Sequence, residues 1–247
     1  MAINSAEQEG RERLALCARA LHSIGVYGLA GHISLRIPDS PLILITPGGG
    51  LDKSRLTGDD MTVIDENGKH VGGLYPPPIE TPIHTIVHAA RPELDSIAHL
   101  HAHWSTVFSI LERPMEIVLL PATTLGKRIP CFEVPHLVTT PELGEQLNAA
   151  LGDAAAVLMR WHGITVVGET LEQMFDRALF IEENARLQYE ATQMGRPMPV
   201  PDEAFPSMTA ERGGPKAAAR TLNYYANLER PKDQQVQEGR SARQGRS

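Results

Sequence analysis

The sequence predicts an α/β/α sandwich with a mainly antiparallel central sheet. Amphipathic helical patterns lie near both ends, in LALCARALHSIG (14–25) and in LEQMFDRALFIEENARLQYEATQMG (171–195). Between them are short apolar or alternating segments of strand length, separated by turn residues. Strands and helices mix without the regular βαβ alternation of a doubly wound parallel sheet. These observations favour antiparallel strands with helices packed on the sheet.

The first half of the sequence contains the clearest strand pairs. HISLRI (32–37) and LILIT (42–46) flank the turn-forming PDSP, and TVIDENGKHVGG (62–73) has the pattern of a hairpin with an Asn-Gly turn. A helix is expected to begin just after Glu80, because Thr81 is a suitable cap and a proline occupies the first helical position. This half is therefore predicted to form paired strands followed by one short helix.

The second half is predicted to mix further strands with two helices. Its expected elements are strands at 96–101, 116–122 and 131–135, a helix at 141–152, two strands within 154–168 and a long helix at 171–195. The two strands within 154–168 are expected to be separated by a tight turn at His162 and Gly163.

Length and composition limit the classes of protein to be considered. With 247 residues, 42% of them hydrophobic, the expected organisation is a single domain over residues 1–226 and a disordered polar tail over 227–247. The net charge of -7 provides no broad basic surface for nucleic acid. No apolar run approaches the roughly 20 residues of a membrane-spanning helix, and the first residues lack the apolar segment of a secretory signal. We therefore expect a cytoplasmic protein that binds neither nucleic acid nor membranes.

Histidines are the residues most indicative of chemistry. His99 and His101 lie in a predicted strand, so their side chains point to the same face, as two ligands of one ion require. His162 precedes a glycine, which lets the backbone turn closely behind the ring and bring it to a shared site. Three such ligands leave one position open for substrate. The alternative is a hydrogen-bonded histidine pair at a sheet edge that binds no metal.

Five separated motifs occur along the chain in a definite order. They are GHISLR, LILITPGGG, LTGDDMTVIDENGKHVGG, the run from Glu80 through TPIHTIVHAARPELDSIAHLHAHWST, and RWHGITVVGETLEQMF. Together they resemble the class II aldolase and adducin family, over roughly residues 8–195. The resemblance implies the class II aldolase fold and a cyclic homotetramer with each active site near a subunit boundary.

The resemblance also implies roles for four residues. His99, His101 and His162 are expected to bind one divalent metal ion per subunit, and Glu80 is expected to be the acid/base residue. Imidazole ligands suit zinc or manganese, and also cobalt or iron. Such a site is suited to Lewis-acid chemistry at a substrate oxygen. The alternative role for Glu80 is that of a carboxylate interacting with the positive end of a helix dipole.

The sequence departs from the phosphosugar members of the family where those members hold phosphate. They commonly carry an Asn, a Ser or Thr, and a Ser pair at the positions of His32, Gly48, Pro77 and Pro78. The hydroxyl donors are missing and proline has no N–H, so a phosphate would find few partners beyond the amides of residues 48–50. A phosphorylated sugar is therefore disfavoured.

Five residues are the candidates for binding a small-molecule substrate. His32 and Arg36 are suited to a carboxylate, Gly48 and Gly49 offer backbone amides, and His103 is a further candidate on the substrate side. The alternatives for the first two are a strand-edge histidine and a solvated arginine.

His84 and His88 lie four apart on one face of the helix predicted after the hairpin, a spacing that can chelate metal but that one amphipathic turn also explains. Both are interpreted as structural residues or as residues that support the metal ligands.

The resemblance, together with these departures from it, implies a metal-dependent carbon–carbon lyase. The missing phosphate donors favour the branch of the family that decarboxylates hydroxylated aromatic or heteroaromatic dicarboxylates, with Glu80 protonating the carbon that loses carbon dioxide. The alternative is a class II aldolase that cleaves a hydroxy-carbonyl, sugar-like substrate, since aldol cleavage is the same step with an aldehyde as the leaving group. A non-catalytic, adducin-like binding protein is a third interpretation, which retention of the expected metal ligands disfavours.

Overall fold

The computed structural model describes residues 5–228. The predicted polar tail therefore lies outside the described residues, except for Asn227 and Leu228, which end the last helix. Within the described part of the chain, no helix is both long enough and apolar enough to cross a membrane.

A single eight-stranded sheet forms the centre of the described residues. In chain order its strands are β1 Gly31–Arg36, β2 Ile43–Ile45, β3 Thr62–Ile64, β4 His70–Gly72, β5 Ser96–Leu100, β6 Cys131–Phe132, β7 Ala156–Met159 and β8 Gly163–Gly168. Their spatial order is β4-β3-β2-β1-β5-β8-β7-β6. Every neighbouring pair is antiparallel except β6 with β7, which is parallel. The predicted mainly antiparallel sheet is confirmed.

Helices cover both faces of this sheet. They are α1 Ser5–Ser23, α2 Thr81–Ala90, α3 His103–Ser109, α4 Pro141–Leu151, α5 Leu171–Met194, α6 Ala204–Arg212 and α7 Pro215–Leu228. Helices α1, α3 and α5 pack against one face, and α2 and α4 pack together against the other. The predicted helix after Glu80 is present, with the proline in its first turn.

The side chains of β1 divide between the two faces of the sheet. Ile33 and Leu35 join the larger hydrophobic core beneath α1 and α5. Because side chains alternate along a strand, His32, Ser34 and Arg36 point to the opposite face, which α2 covers. That face carries polar groups at β1, and the candidate site lies there.

Strand register brings distant histidines together. In the antiparallel pair of β1 with β5, His32 lies opposite His99, and in the pair of β5 with β8, His99 lies opposite Thr165. A Cβ atom at Gly163 would lie 2.3 Å from the carbonyl oxygen of Leu100, so only glycine lets β8 begin so close to β5. The turn before Gly163 consequently lies beside the end of β5.

One predicted strand, at 116–122, is wrong. The structure has a 3-10 helix at Leu120–Leu125, and the residues just before it belong to no strand. The backbone N–H groups of Val118 and Leu119 donate to Asn184 Oδ1, and that of Glu116 donates to Gln188 Oε1. Side chains of α5 thus accept the backbone hydrogen bonds of this segment in place of a neighbouring strand. The local apolar pattern did not indicate these partners.

Candidate metal centre

Three imidazole rings converge at the end of β5. His99 is the fourth residue of β5, His101 directly follows the strand, and His162 lies in the turn before β8. The Nε2 atoms of His99 and His101 are 3.0 Å apart. Their ring centroids are separated by 4.9 Å, and each lies 4.7 Å from the centroid of His162. We call His99, His101 and His162 the histidine triad.

The triad has the bonding pattern expected of metal ligands. His99 Nδ1 donates to the carbonyl oxygen of Ile164 at 3.1 Å, so its other nitrogen, Nε2, is free to coordinate. His162 Nε2 is buried and has no hydrogen-bond partner within residues 5–228. A buried nitrogen without a partner costs free energy unless a ligand satisfies it. One ligand atom from each triad member and from Glu80 lies within 4.8 Å of the others, so these residues fit a divalent cation.

The electrostatics of His99 and His101 favour neutral rings, which is the form that binds metals. Burial lowers the pKa of His99 well below its ordinary value, and the neighbouring histidines lower it further. Burial, with a contribution from His162, lowers the pKa of His101 to about 4. At neutral pH these rings therefore hold no extra proton that a cation would have to displace.

Glu80 lies beside the triad at the start of α2. Its Oε2 atom is 3.6 Å from His99 Nε2 and 3.8 Å from the Nε2 atoms of both His162 and His32. Its Oε1 atom accepts a hydrogen bond from the backbone N–H of Val138 at 2.9 Å. Glu80 is the N-cap residue of α2, but its side chain makes no capping hydrogen bond, and its two oxygens face Val138 and the triad instead.

The protonation of Glu80 results from opposing effects. Burial raises the pKa of its carboxyl group, but the hydrogen bond from the N–H of Val138 and the histidine rings around it outweigh burial and lower the pKa overall. Glu80 is therefore ionised at neutral pH, with one oxygen held by the backbone and the other facing the triad.

A cleft of about 600 Å³ opens beside Glu80. Its walls come from three loops and the start of β1, and its lining residues are Leu29, Ala30, Gly31, His32, Pro47, Gly48, Gly49, Gly50, Lys53, Pro76, Pro77, Pro78, Ile79 and Glu80. A Cβ atom at Gly48 would lie 2.8 Å from the carbonyl oxygen of Pro77, so the two loops approach this closely only with glycine there.

The cleft contains a cation that sequence analysis missed. Lys53 is only 3% exposed, although it belongs to a short 3-10 turn, and its Nζ lies 5.0 Å from the centroid of the Tyr27 ring. Within the described part of the chain it forms no ion pair with a carboxylate. Burial lowers the pKa of Lys53. In the sequence, Lys53 is one charged residue of a polar turn, and only the tertiary structure shows that it lines the cleft.

The structure assembles some of the predicted substrate residues and not others. His32, Gly48 and Gly49 line the cleft. Arg36 does not: its Nε donates to the carbonyl oxygen of Leu94 at 2.8 Å, and its Nη2 donates to that of His88. His103 begins α3 and lines a separate cavity with Trp104 and Glu182. The guanidinium of Arg36 is thus engaged by backbone groups, and His103 lines a cavity other than the cleft.

Two histidines of α2 connect to the site through His32. His32 Nδ1 lies 2.6 Å from His84 Nε2, His84 Nδ1 lies 2.7 Å from Ser34 Oγ, and Ser34 Oγ lies 3.0 Å from His88 Nε2. We call His32, His84, Ser34 and His88 the buried network. The sequence pattern places His84 and His88 on one helix face, but no local pattern links them to His32.

Known proteins support the family resemblance. The family model described as the class II aldolase and adducin N-terminal domain matches residues 11–189. The L-fuculose phosphate aldolase of Escherichia coli O6:H1 is 34% identical over 175 residues, which cover 70% of this chain and 79% of the relative. The 3,4-dihydroxyphthalate decarboxylase of Arthrobacter keyseri is 28% identical over 197 residues, covering 75% of this chain and 79% of the relative.

A solved structure agrees at the level of the fold. The L-fuculose 1-phosphate aldolase from Glaciozyma antarctica PI12 matches with a TM-score of 0.80 at 21% identity, covering 92% of this chain and 91% of that chain. The eight-stranded sheet with helices on both faces is therefore the class II aldolase fold. Together with the family match over most of the chain and the cluster of Glu80 with the histidine triad, this shows that the chain belongs to the class II aldolase and adducin family.

Proposed function

We propose that this protein is a metal-dependent lyase that cleaves a carbon–carbon bond of a hydroxy-carbonyl substrate by aldol cleavage. The observation that carries the proposal is the position of Glu80 Oε2, 3.6 Å from His99 Nε2 and 3.8 Å from His162 Nε2. An ionised carboxylate beside three convergent imidazoles places a proton acceptor next to a divalent-metal site. The missing phosphate donors in the sequence favoured decarboxylation, whereas the L-fuculose phosphate aldolase relatives support aldol cleavage better.

Glu80 and the histidine triad supply most of what the proposed reaction requires. Glu80 Oε2 accepts the proton of the substrate hydroxyl, and that oxygen forms a carbonyl as the neighbouring carbon–carbon bond breaks. The electron pair passes to the second fragment as an enolate, and Glu80 returns the proton to its carbon, so atoms and charge balance. A divalent cation held by the histidine triad would supply Lewis-acid stabilisation of the enolate charge. Because Val138 holds Oε1, only Oε2 of Glu80 moves the proton.

Lys53 suggests that the substrate carries an anionic group away from the reacting carbon. It lines the same cleft as Glu80 and the glycine loop of residues 48–50. A buried ammonium group without a carboxylate partner favours an anion beside it. Lys53 would give a phosphate a charged partner besides the amides of residues 48–50, so the missing hydroxyl donors disfavour phosphate less strongly. Phosphate and carboxylate both satisfy an ammonium group, and a substrate panel distinguishes them.

Decarboxylation of a hydroxy-aromatic dicarboxylate is the second candidate function. It is favoured by Pro77 and Pro78, which replace hydroxyl donors in the cleft wall, and by the 28% identical 3,4-dihydroxyphthalate decarboxylase. In that reaction carbon dioxide leaves instead of an aldehyde, and Glu80 protonates the same kind of electron-rich carbon. Both candidates use the same metal site and the same proton donor.

A substrate panel tests the proposal and separates the two candidates. Purified protein with zinc, manganese, cobalt or iron supplied separately is assayed against ketose 1-phosphates, their unphosphorylated forms and hydroxy-aromatic dicarboxylates. Aldehyde release is measured with a coupled dehydrogenase, and carbon dioxide release is measured in parallel. The proposal predicts metal-dependent aldehyde release. Carbon dioxide release with no aldehyde from any substrate would favour decarboxylation, and no turnover in either assay would favour a non-catalytic binding protein.

We also propose that the protein acts in the cytoplasm as a homotetramer with its sites near subunit boundaries. Large apolar side chains beside the site residues are exposed to solvent. Ile79, next to Glu80, is 70% exposed, and Trp161, next to His162, is 61% exposed. Apolar side chains exposed together around a site are typical of a surface that another subunit covers. Light scattering of the purified protein measures its mass, and a monomer at micromolar concentration would contradict this assembly.

A further inference from the structure

The buried network runs unbroken from the cleft to a backbone carbonyl. Its last member, His88, places Nδ1 3.2 Å from the carbonyl oxygen of Leu94. His88 Nε2 contacts Ser34, Ser34 contacts His84, and His84 contacts His32, at 3.0, 2.7 and 2.6 Å. The first member, His32, lies in the cleft wall with Nε2 3.8 Å from Glu80 Oε2.

The Leu94 carbonyl determines the direction of every hydrogen bond in this network. A carbonyl oxygen can only accept, so the hydrogen of His88 is on Nδ1, and Nε2 of the neutral ring accepts from the Ser34 hydroxyl. The Ser34 oxygen then accepts from His84 Nδ1, which leaves His84 Nε2 as an acceptor. His84 Nε2 accepts from His32 Nδ1. In neutral His32, the hydrogen is therefore on Nδ1 and Nε2 is bare.

Burial keeps the inner rings in this neutral form. His84, Ser34 and His88 are each no more than 2% exposed. Burial lowers the pKa of His84 well below its ordinary value and lowers that of His88 to about 3. A neutral ring has one hydrogen for two nitrogens, so the direction set at Leu94 passes through both rings without interruption.

We propose that His88, Ser34 and His84 are positioning residues that fix His32 in the tautomer with its hydrogen on Nδ1, so that His32 presents Nε2 to the cleft as a hydrogen-bond acceptor. The proposal rests on the function proposed above, since the donor it implies is a hydroxyl in the cleft, either of the substrate or of Glu80 after it takes up the substrate proton. His32 is a further substrate-side residue, and its acceptor character distinguishes a hydroxyl from the carboxylate that the sequence suggested.

Replacing Ser34 with alanine tests this network with the smallest change. Ser34→Ala deletes one buried oxygen, leaving His84 Nδ1 without an acceptor and His88 Nε2 without a donor, so the tautomer of His84 is no longer fixed. We expect kcat to fall about tenfold to a hundredfold, as is typical for partners that orient site residues, with KM changed less than about threefold. Bound metal should remain unchanged. Ser34→Thr, which keeps the hydroxyl, should restore most of the lost turnover.

Ser96→Ala is the matched control. Ser96 lies on the neighbouring strand, is fully buried, and donates its hydroxyl hydrogen to the backbone oxygen of Ser34 at 2.8 Å. Its loss also removes a buried hydroxyl but leaves the rings of the network untouched. Equal losses of kcat in Ser34→Ala and Ser96→Ala would show a general packing effect and overturn the proposal.

Tautomers are also measured directly, independently of any activity. Solid-state ¹⁵N NMR of histidine-labelled protein separates protonated from bare ring nitrogens, and comparison with His32→Asn identifies the His32 signals. We expect a protonated Nδ1 and a bare Nε2 for His32 in wild-type protein, and a mixture of both tautomers in Ser34→Ala. A proton on His32 Nε2 with bare Nδ1 in wild-type protein would overturn the proposal, even if no substrate of the enzyme had been found.

Discussion

The protein has two groups of histidines that differ in how their ring nitrogens are used. In the buried network every ring nitrogen except His32 Nε2 has a hydrogen-bond partner. In the triad, the Nε2 atoms of His99 and His101 face each other, and that of His162 is buried without a hydrogen-bond partner in the described residues. Nitrogens bonded to fixed partners orient a side chain, whereas convergent nitrogens that have no partner outside their own group are available to a cation. The difference in bonding, and not burial alone, separates a ligand site from a positioning network.

Removing a triad member should have the largest effect. His101→Ala is the best variant because His101 is exposed and its loss disturbs the core least. We expect turnover to fall by more than about a hundredfold, beyond the loss typical of residues that only orient a ligand, because a site with three protein ligands cannot spare one. Circular dichroism and steady-state turnover measure fold and activity separately. His70→Ala, on the exposed strand β4, is the control. Activity near wild type in His101→Ala would contradict the triad.

Removing the carboxylate should separate chemistry from metal binding. Glu80→Gln keeps the size of the side chain but cannot accept the substrate proton. We expect kcat to fall about 10²-fold to 10⁴-fold, as for loss of a general base, with the metal content unchanged. Turnover and elemental analysis are measured on the same preparation. If turnover survived, Glu80 would be a structural residue of the helix start.

Neutralising Lys53 should affect substrate binding more than chemistry. Lys53→Met keeps a buried side chain of similar length, and we expect KM for an anionic substrate to rise about tenfold to a hundredfold, the usual effect of losing a hydrogen bond to a charged group. The kcat value should change less than about threefold. Lys69→Met, at an exposed lysine, is the matched control. If KM were unchanged for both phosphorylated and carboxylated substrates, Lys53 would not bind the anion.

The buried network should make stability fall with decreasing pH. Burial lowers the pKa of His88 to about 3 from 6.5, so below pH 6.5 the unfolded chain takes up a proton that the native protein does not. By linkage, this residue alone lowers the free energy of unfolding by about 2 kcal/mol between pH 7 and pH 5. In urea unfolding of metal-free protein, the free energy of unfolding lost between pH 7 and pH 5 should therefore be about 2 kcal/mol smaller in His88→Gln than in wild-type protein. Equal losses in both proteins would contradict a neutral, buried His88.

Local sequence patterns predicted those contacts that follow from the regular geometry of a strand or a turn. His99 and His101 are two residues apart at the end of one strand, and a glycine after His162 allows the close approach of β8 that brings this third ring to them. Periodicity also predicted most of the strands and helices, because they are amphipathic or flanked by turn residues. The strand predicted at 116–122 is wrong because the backbone of this segment is hydrogen-bonded by side chains of α5, which no local pattern reveals.

Contacts between distant elements could not be predicted in the same way. Lys53 belongs to a polar turn, and its burial depends on how that turn packs over Tyr27. The contact of His32 with His84 joins residues 52 positions apart and depends on how α2 lies across β1. Arg36 was expected to meet a substrate, yet it donates to the backbone carbonyls of His88, within α2, and of Leu94, beyond its end. In each case the residue type was informative, but its partner was determined by tertiary packing.

Metal stoichiometry tests the central claim most directly. Wild-type protein, His162→Ala and His88→Gln are each stripped of metal, dialysed against zinc or manganese, and analysed for bound metal per subunit. We predict about one ion per subunit for wild-type protein and for His88→Gln, and little or none for His162→Ala, because the triad nitrogens converge beside Glu80, whereas both ring nitrogens of His88 are held by Ser34 and Leu94. One tightly bound ion in His162→Ala, or equal loss of metal in both variants, would contradict the distinction between the histidine triad and the buried network.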